Sequence, residues 1–512
     1  MALPRAAETG VSNPRLAQLL GPATILLHPV YGLLLLLLGC LLLLPFASQP
    51  LGVPLAALST YLLLMAARLE QPWLALTPLP PLTILCLGAW LRCGLGGLLL
   101  ALGQPITAVG GNNGFWQHLP EAQLLWLLAS ASAVLVFAAW PKAPKPPGIS
   151  SQQAARQPVV ALALACGVFA LITIGIGVVA GTLDRNPSSY LYWLSQRWRP
   201  DSLFTMFARF RDLFFVLAPL AIWKAHRGWQ RLTLGAMLLL YPIFALPLGG
   251  RGLLLYPVLY SCLGLWLTAI SPKTLRFILS ICLIASLVLI PSIAIYRSLP
   301  GFNTAQRDAA ALRLRLLAEA TTSATNQLKL PALLSETGVS LYGCSDGFLF
   351  QEPAASRPRA GLHRMESLLT AWLPELLAPK KIPLRDAHII AEEARGRTRQ
   401  EAESMTYTSF SCVSLGGDLY WRGGWPAVAF GSALAATAYR LLSGIWYRFA
   451  SWQTSWQILL LLYPATFLTM YPFGSIGETA WLWMWDLPKY VVLIGLISFI
   501  ASRVPQKSAP CP

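Results

Sequence analysis

Four stretches of this 512-residue chain carry side chains able to do chemistry. Arg92 lies in LTILCLGAWLRCGLGG, Arg251 in PLGGRGLLLYP, Arg364 and Lys381 in HRMESLLTAWLPELLAPKKIPLRDAH, and Asp418, Tyr420 and Arg422 in GGDLYWRGGWPAVAFGSALAA. Arg92 stands about eleven residues from either end of an apolar run, where a charge costs at least ~2.5 kcal/mol. It therefore needs a partner: a carbonyl or a snorkelling path on one reading, an anionic substrate on the other. Arg251 is flanked by Gly249, Gly250 and Gly252, which let a ligand approach the backbone closely, and a guanidinium suits bidentate phosphate recognition. The alternative is a tight turn with an interfacial Arg anchor. Interfacial anchoring accounts for Tyr420, Trp421 and Trp425 but not for Asp418. Arg209, Arg211 and Asp212 in TMFARFRDLFF form a further polar cluster that contains its own counter-ion.

Other chemistries are excluded or unsupported. There is no CxxC pair, no HExxH and no GxxxxGKS, and the five His show no metal-ligand spacing, so neither a built-in metal centre nor a P-loop pump is expected. No cofactor is called for. Six of the nine Cys fall in apolar runs, where Cys acts as a small hydrophobe; Cys344 and Cys412 share a polar stretch and are the pair able to bridge there.

The elements that must position these residues follow from composition. Hydrophobic residues make up 55% of the chain and charged residues 12%, about half the charged share of a soluble domain. Apolar runs fall at 27–46, 50–68, 81–103, 122–140, 158–181, 203–222, 232–250, 252–270, 277–296, 425–445, 457–473 and 487–502. This predicts an all-α polytopic membrane protein of about twelve transmembrane helices. Residues 1–296 would hold helices 1–9 with a Pro-rich basic linker at 141–157, residues 297–424 one large, partly helical loop, and residues 425–512 helices 10–12. Helix-like patches in the loop are expected at 304–320, 364–377 and 387–404.

Net charge is +17, from 38 basic and 21 acidic residues. The loop holds 15 and 13 of these and is nearly balanced, so the excess belongs to the membrane part and reports topology before any nucleic-acid partner. One set of short loops carries 15 Lys and Arg and the opposite set five. The positive-inside rule makes the first set cytoplasmic, with both termini inside and the large loop outside.

The order of these motifs resembles that of the membrane-embedded oligosaccharide repeat-unit polymerases, the Wzy-like O-antigen polymerases. Gly250–Arg251–Gly252 resembles the family's SRG-like element, and LPELLAPKKIPLRD, preceded by Arg364, its IPRxLWPxKP motif. GGDLYWRGGWPAVAFGSALAA resembles the GELYxNFGxxGxxxG start of a late helix. The likeness covers about 170 residues between Leu246 and Ala436; Asp418 stands where the family has Glu, and Ile382 interrupts its Lys-Pro pair. It implies a GT-C-like fold, location in the plasma (inner) membrane, an undecaprenyl-diphosphate-linked glycan as substrate and no nucleotide sugar. Arg251 and Arg364 would then stabilise the departing diphosphate, with Arg92 and Lys381 supporting them. Asp418 would orient or deprotonate the acceptor hydroxyl, and Tyr420 and Arg422 would place the glycan. A chain-length regulator is a further partner consistent with the family. Two rivals stay open: an O-antigen ligase and a polysaccharide or lipid exporter.

Overall fold

A computed structural model describes residues 29–74, 80–103, 117–140, 159–183, 203–245, 330–342 and 413–450. It also describes most of 346–365 and 389–404, residues 475–477, and isolated positions between 257 and 322. The described residues form helices and no strand: α1 Pro29–Leu43, α2 Gly52–Leu69, α3 Gln71–Leu74, α4 Pro81–Ala89, α5 Gly97–Leu102, α6 Leu119–Ala139, α7 Val159–Leu183, α8 Leu203–Lys224, α9 Gly228–Ala245, α10 Leu330–Tyr342, α11 Arg399–Ser404 and α12 Leu415–Ala450. Among the described residues four helical segments are long and apolar enough to cross a membrane: Pro29–Phe46, Gly52–Leu69, Pro81–Leu102 and Leu119–Ala139. They coincide with the first four apolar runs and mark a membrane protein. α1 shows why: almost every residue of PVYGLLLLLLGCLLL is apolar, and Leu33, Leu34, Leu37, Leu38, Leu41 and Leu42 are exposed, as lipid-facing side chains are.

The chain forms two compact units. In the first, α4 starts at Pro81, whose missing N–H costs nothing in a first turn. Its continuation to α5 runs through a π-helical stretch, Trp90–Gly96, a local widening that recurs at functional sites. Gln123 of α6, fully buried, donates to Cys93 O at 3.0 Å and Gly52 O at 3.3 Å, tying α2, the π stretch and α6 together. At the other end of α2, Glu70 accepts from Leu82 N at 3.0 Å, Thr83 N at 2.7 Å and the Thr83 and Tyr447 hydroxyls, so a buried carboxylate caps the start of α4. Tyr439 Oη donates to Pro81 O at 3.0 Å beside it. Arg440, one of the 15 bases that the positive-inside reading assigns to short loops, is buried among the rings of Phe137, Trp140 and Tyr447.

Helix α10 was not among the expected loop patches. It lies antiparallel to the end of the third span: a Cβ on Gly96 would meet Tyr342 N at 2.9 Å, one on Gly338 would meet Leu100 N at 2.8 Å, and one on Gly103 would meet Ser335 Oγ at 1.9 Å. Small residues on both helices permit this approach. Part of the large loop therefore runs beside a candidate span and does not simply cover it. The patch at 364–377, Met365 apart, lies outside the described residues, as does most of 304–320.

The second unit packs α7, α8 and α9 around Phe214, Phe215 and Tyr241, whose rings meet edge to face at 5.2 and 4.9 Å.

Candidate functional site

The GGDLYWRGGWP segment folds as a helical hairpin. At Gly423 (φ −149°, ψ 16°) and Gly424 (φ 69°, ψ −161°) the backbone of α12 leaves the helical region, the second in a conformation essentially reserved for glycine. Residues twelve apart stand about 18 Å apart along a straight helix. A Cβ on Gly431, however, would fall 2.4 Å from a Leu419 methyl, so the arm 415–422 folds back on the arm 425–450. The first arm ends with its carbonyls satisfied: Trp421 O accepts from Ala360 N at 3.0 Å and Arg422 O from Gly361 N at 2.9 Å.

The first arm begins at an N-cap, with Ser414 Oγ accepting from Gly417 N at 2.9 Å. Against that helix start lies Asp346, completely buried. Its Oδ1 accepts from Ser414 N at 2.9 Å and its Oδ2 from Trp126 Nε1 at 2.9 Å. Burial pushes its carboxyl up to about 6, against the opposing pull of the Ser414 and Trp126 donors and of the Arg92 charge. The neighbouring Tyr342 hydroxyl is raised well above its ordinary value by burial and then by the Asp346 charge.

Arg92 rises from the π stretch into this group. Its Nη1 donates to Tyr342 O at 3.4 Å and its Cζ lies 5.6 Å from the Trp126 ring centroid. The carbonyl-paired arrangement is thus realised, with Trp126 shared between the cation and the carboxylate.

Asp418 and Arg422 form a buried i,i+4 ion pair at 2.9 Å. Asp418 Oδ2 also accepts from Ile476 N at 2.8 Å, and Arg422 Nη1 donates to the carbonyls of His363 at 2.8 Å and Gly361 at 3.3 Å. Both carboxylate oxygens are occupied by donors, so the pair works as a clasp holding the hairpin to 361–363 and to 475–477. Trp421 between them donates to Glu393 at 2.8 Å, and Glu393 pairs with Arg399 at 2.7 Å.

Tyr420 points to a different surface. Its ring centroid lies 4.7 Å from that of Phe350 and 5.2 Å from that of Trp425, and the Arg359 guanidinium sits 4.2 Å from it. Nearby, His363 Nε2 is hydrogen-bonded to Glu403 Oε1, with both side chains about a third exposed. An imidazole oriented by a carboxylate is the arrangement of a general base.

The structure thus brings Arg92 to one side of Asp346 and the hairpin carrying Asp418, Tyr420 and Arg422 to the other. Arg251, Arg364 and Lys381 lie outside the described residues, as do Cys344, Cys412 and the side chains of Arg209, Arg211 and Asp212. Asp346, His363, Glu403 and Arg359 escaped sequence reasoning: each sits in a polar stretch rich in similar residues, and their partners, Trp126, Glu403, His363 and Tyr420, lie 40 or more positions away. Among the described residues no group of His, Cys, Asp and Glu could hold a metal ion. No family model, curated protein or solved structure matches the chain.

Proposed function

We propose that the chain polymerises undecaprenyl-diphosphate-linked oligosaccharide repeat units into surface polysaccharide at the outer face of the plasma membrane. In this reading it crosses the bilayer about twelve times in a GT-C-like arrangement, both termini are cytoplasmic, and residues 297–424 lie outside. The three ordered motifs support it, and one observation carries it. The segment bearing the third motif is a glycine-hinged hairpin that presents an Arg–aromatic surface, Arg359 with Tyr420 and Trp425, and whose Trp421 meets the ring of the part-exposed His363, paired with Glu403, at 6.3 Å.

A hydroxyl of one lipid-linked unit attacks the anomeric carbon of another, and the lipid diphosphate departs with the bonding electrons. Negative charge grows on the diphosphate, so fixed guanidinium groups stabilise the transition state more than the ground state. Arg251 and Arg364 take that role, with Arg92 and Lys381 supporting them. His363, steadied by Glu403, accepts the hydroxyl proton, and Asp418 with Arg422 holds the hairpin in shape.

The test is chain-length profiling of surface glycan in cells depending on this protein, comparing the native chain with Arg251→Ala and Arg364→Ala at matched membrane abundance. Glycans arrested at a single repeat support the reading. Full-length glycan still on its lipid points to a ligase, and unchanged profiles sink the two assignments.

A further inference from the structure

We propose that the surface formed by Arg359, Tyr420 and Trp425 binds a saccharide unit that carries a carboxylate. The other described arginines of this region are committed: Arg397 to Glu392, Arg399 to Glu393, Arg422 to Asp418, and Arg357 to the carbonyl of Arg397. Arg359 is exposed, and among the described residues no carboxylate pairs with it; its guanidinium rests on Tyr420, 4.2 Å from the ring centroid. A guanidinium stacked on a ring keeps its in-plane N–H donors for a ligand, and their fork fits a carboxylate bidentately.

The aromatic part suits a sugar ring. Phe350 braces Tyr420 from one side, and Trp425, 38% exposed, meets it edge-on at 5.2 Å. Together they offer apolar edges and faces to the C–H groups of a pyranose. Gly424 brings the hairpin turn alongside: a Cβ there would stand in ordinary contact with Arg359 Nε, at 3.8 Å. Among the described residues one guanidinium at this surface is uncommitted; that balances a monoanion, whereas a diphosphate calls for several cations, so the ligand chemistry read here is an acidic sugar.

This inference rests on the polymerase reading only in placing a glycan at this surface, and its test needs no turnover. The protein in phosphatidylcholine nanodiscs is titrated with tri-galacturonate and with its carboxyl-reduced trisaccharide, following tryptophan fluorescence and heat. The acidic sugar should bind about tenfold tighter. Arg359→Gln should abolish that preference while leaving the reduced sugar's binding in place, and Trp425→Ala should weaken both. Equal binding of the two sugars, or an unchanged preference in Arg359→Gln, overturns the proposal. So does loss of acidic-sugar binding when phosphatidylglycerol is added to the nanodisc, which would mark a lipid-headgroup site. If the acid preference holds while chain-length profiles fail, the polymerase reading falls alone; if profiles hold and the preference is absent, this one does.

Discussion

Asp346 and Trp126 meet at 2.9 Å across 220 residues of sequence, the indole N–H donating to a completely buried carboxylate. This bond joins α6 to the turn that follows α10, and through Ser414 it reaches the start of the hairpin. Trp126→Phe keeps the ring and removes the donor. A buried acceptor left unsatisfied costs about 1–3 kcal/mol, so the variant should melt at a lower temperature in nanodiscs. An unchanged melting point would show that this bond does not hold the site together.

Asp346 also sets a pH dependence. Its carboxyl is raised from 3.8 to about 6 in the folded chain, so between these values the folded state binds more protons than the unfolded one. Its contribution to stability is present below about 4 and is lost as pH rises through about 6. The melting temperature should therefore fall between pH 4 and pH 6.5 by more in the native chain than in Asp346→Asn. Parallel pH profiles would contradict this.

The Asp418–Arg422 pair yields a test of role. Removing one member of a buried pair costs on the order of 3–5 kcal/mol, so Asp418→Ala and Arg422→Ala should each be strongly destabilised, and the double variant should be much less destabilised than their sum. Asp418→Asn keeps one acceptor, for Arg422 or for Ile476 N but not for both, and removes a base. It should still lengthen glycan; single-repeat product from a well-folded Asp418→Asn would restore Asp418 as the proton acceptor.

His363 and Glu403 are exposed enough that their loss should barely touch stability, within about 0.5 kcal/mol. A general base contributes about 10²–10⁴-fold, so His363→Ala should reduce glycan lengthening by about two orders of magnitude or more, and Glu403→Gln by less. Normal chain lengths from His363→Ala would remove this residue from the reaction.

Gly424 occupies a conformation that costs other residues about 1–3 kcal/mol. Gly424→Ala should open the hairpin to protease and lower the melting temperature, whereas Gly444→Ala, on the same helix with its nearest neighbour at 4.0 Å, should be silent. Equal behaviour of the two would argue against a strained turn.

The spans were legible because about twenty apolar residues in a row admit little besides a membrane helix, and six of the expected runs match described helices within three residues at each end. The π stretch at Trp90–Gly96 was not, since a one-residue change in hydrogen-bond register leaves no mark in composition. GGWP at 423–426 was visible as a boundary. That the arm before it folds back depends on Leu419 meeting Gly431, a tertiary fact. Asp418 and Arg422 are four apart, a spacing that pairs them on any helix, yet each was read singly as a group facing substrate. Asp346 is one of 13 acids in its loop, and only the distant Trp126 distinguishes it.

The long separation between α6 and its polar partners has a consequence for biogenesis. At 5–20 residues per second the ribosome needs roughly 10–60 s after completing α6 to deliver Asp346 and then the hairpin. Throughout that interval the indole N–H of Trp126 and the backbone around Leu125, against which Gly416 later packs, await their native contacts. The early spans thus have to be held by the insertion machinery, or by one another, until the late segments arrive, so truncating the chain before Asp346 should shorten the lifetime of helices that are themselves intact.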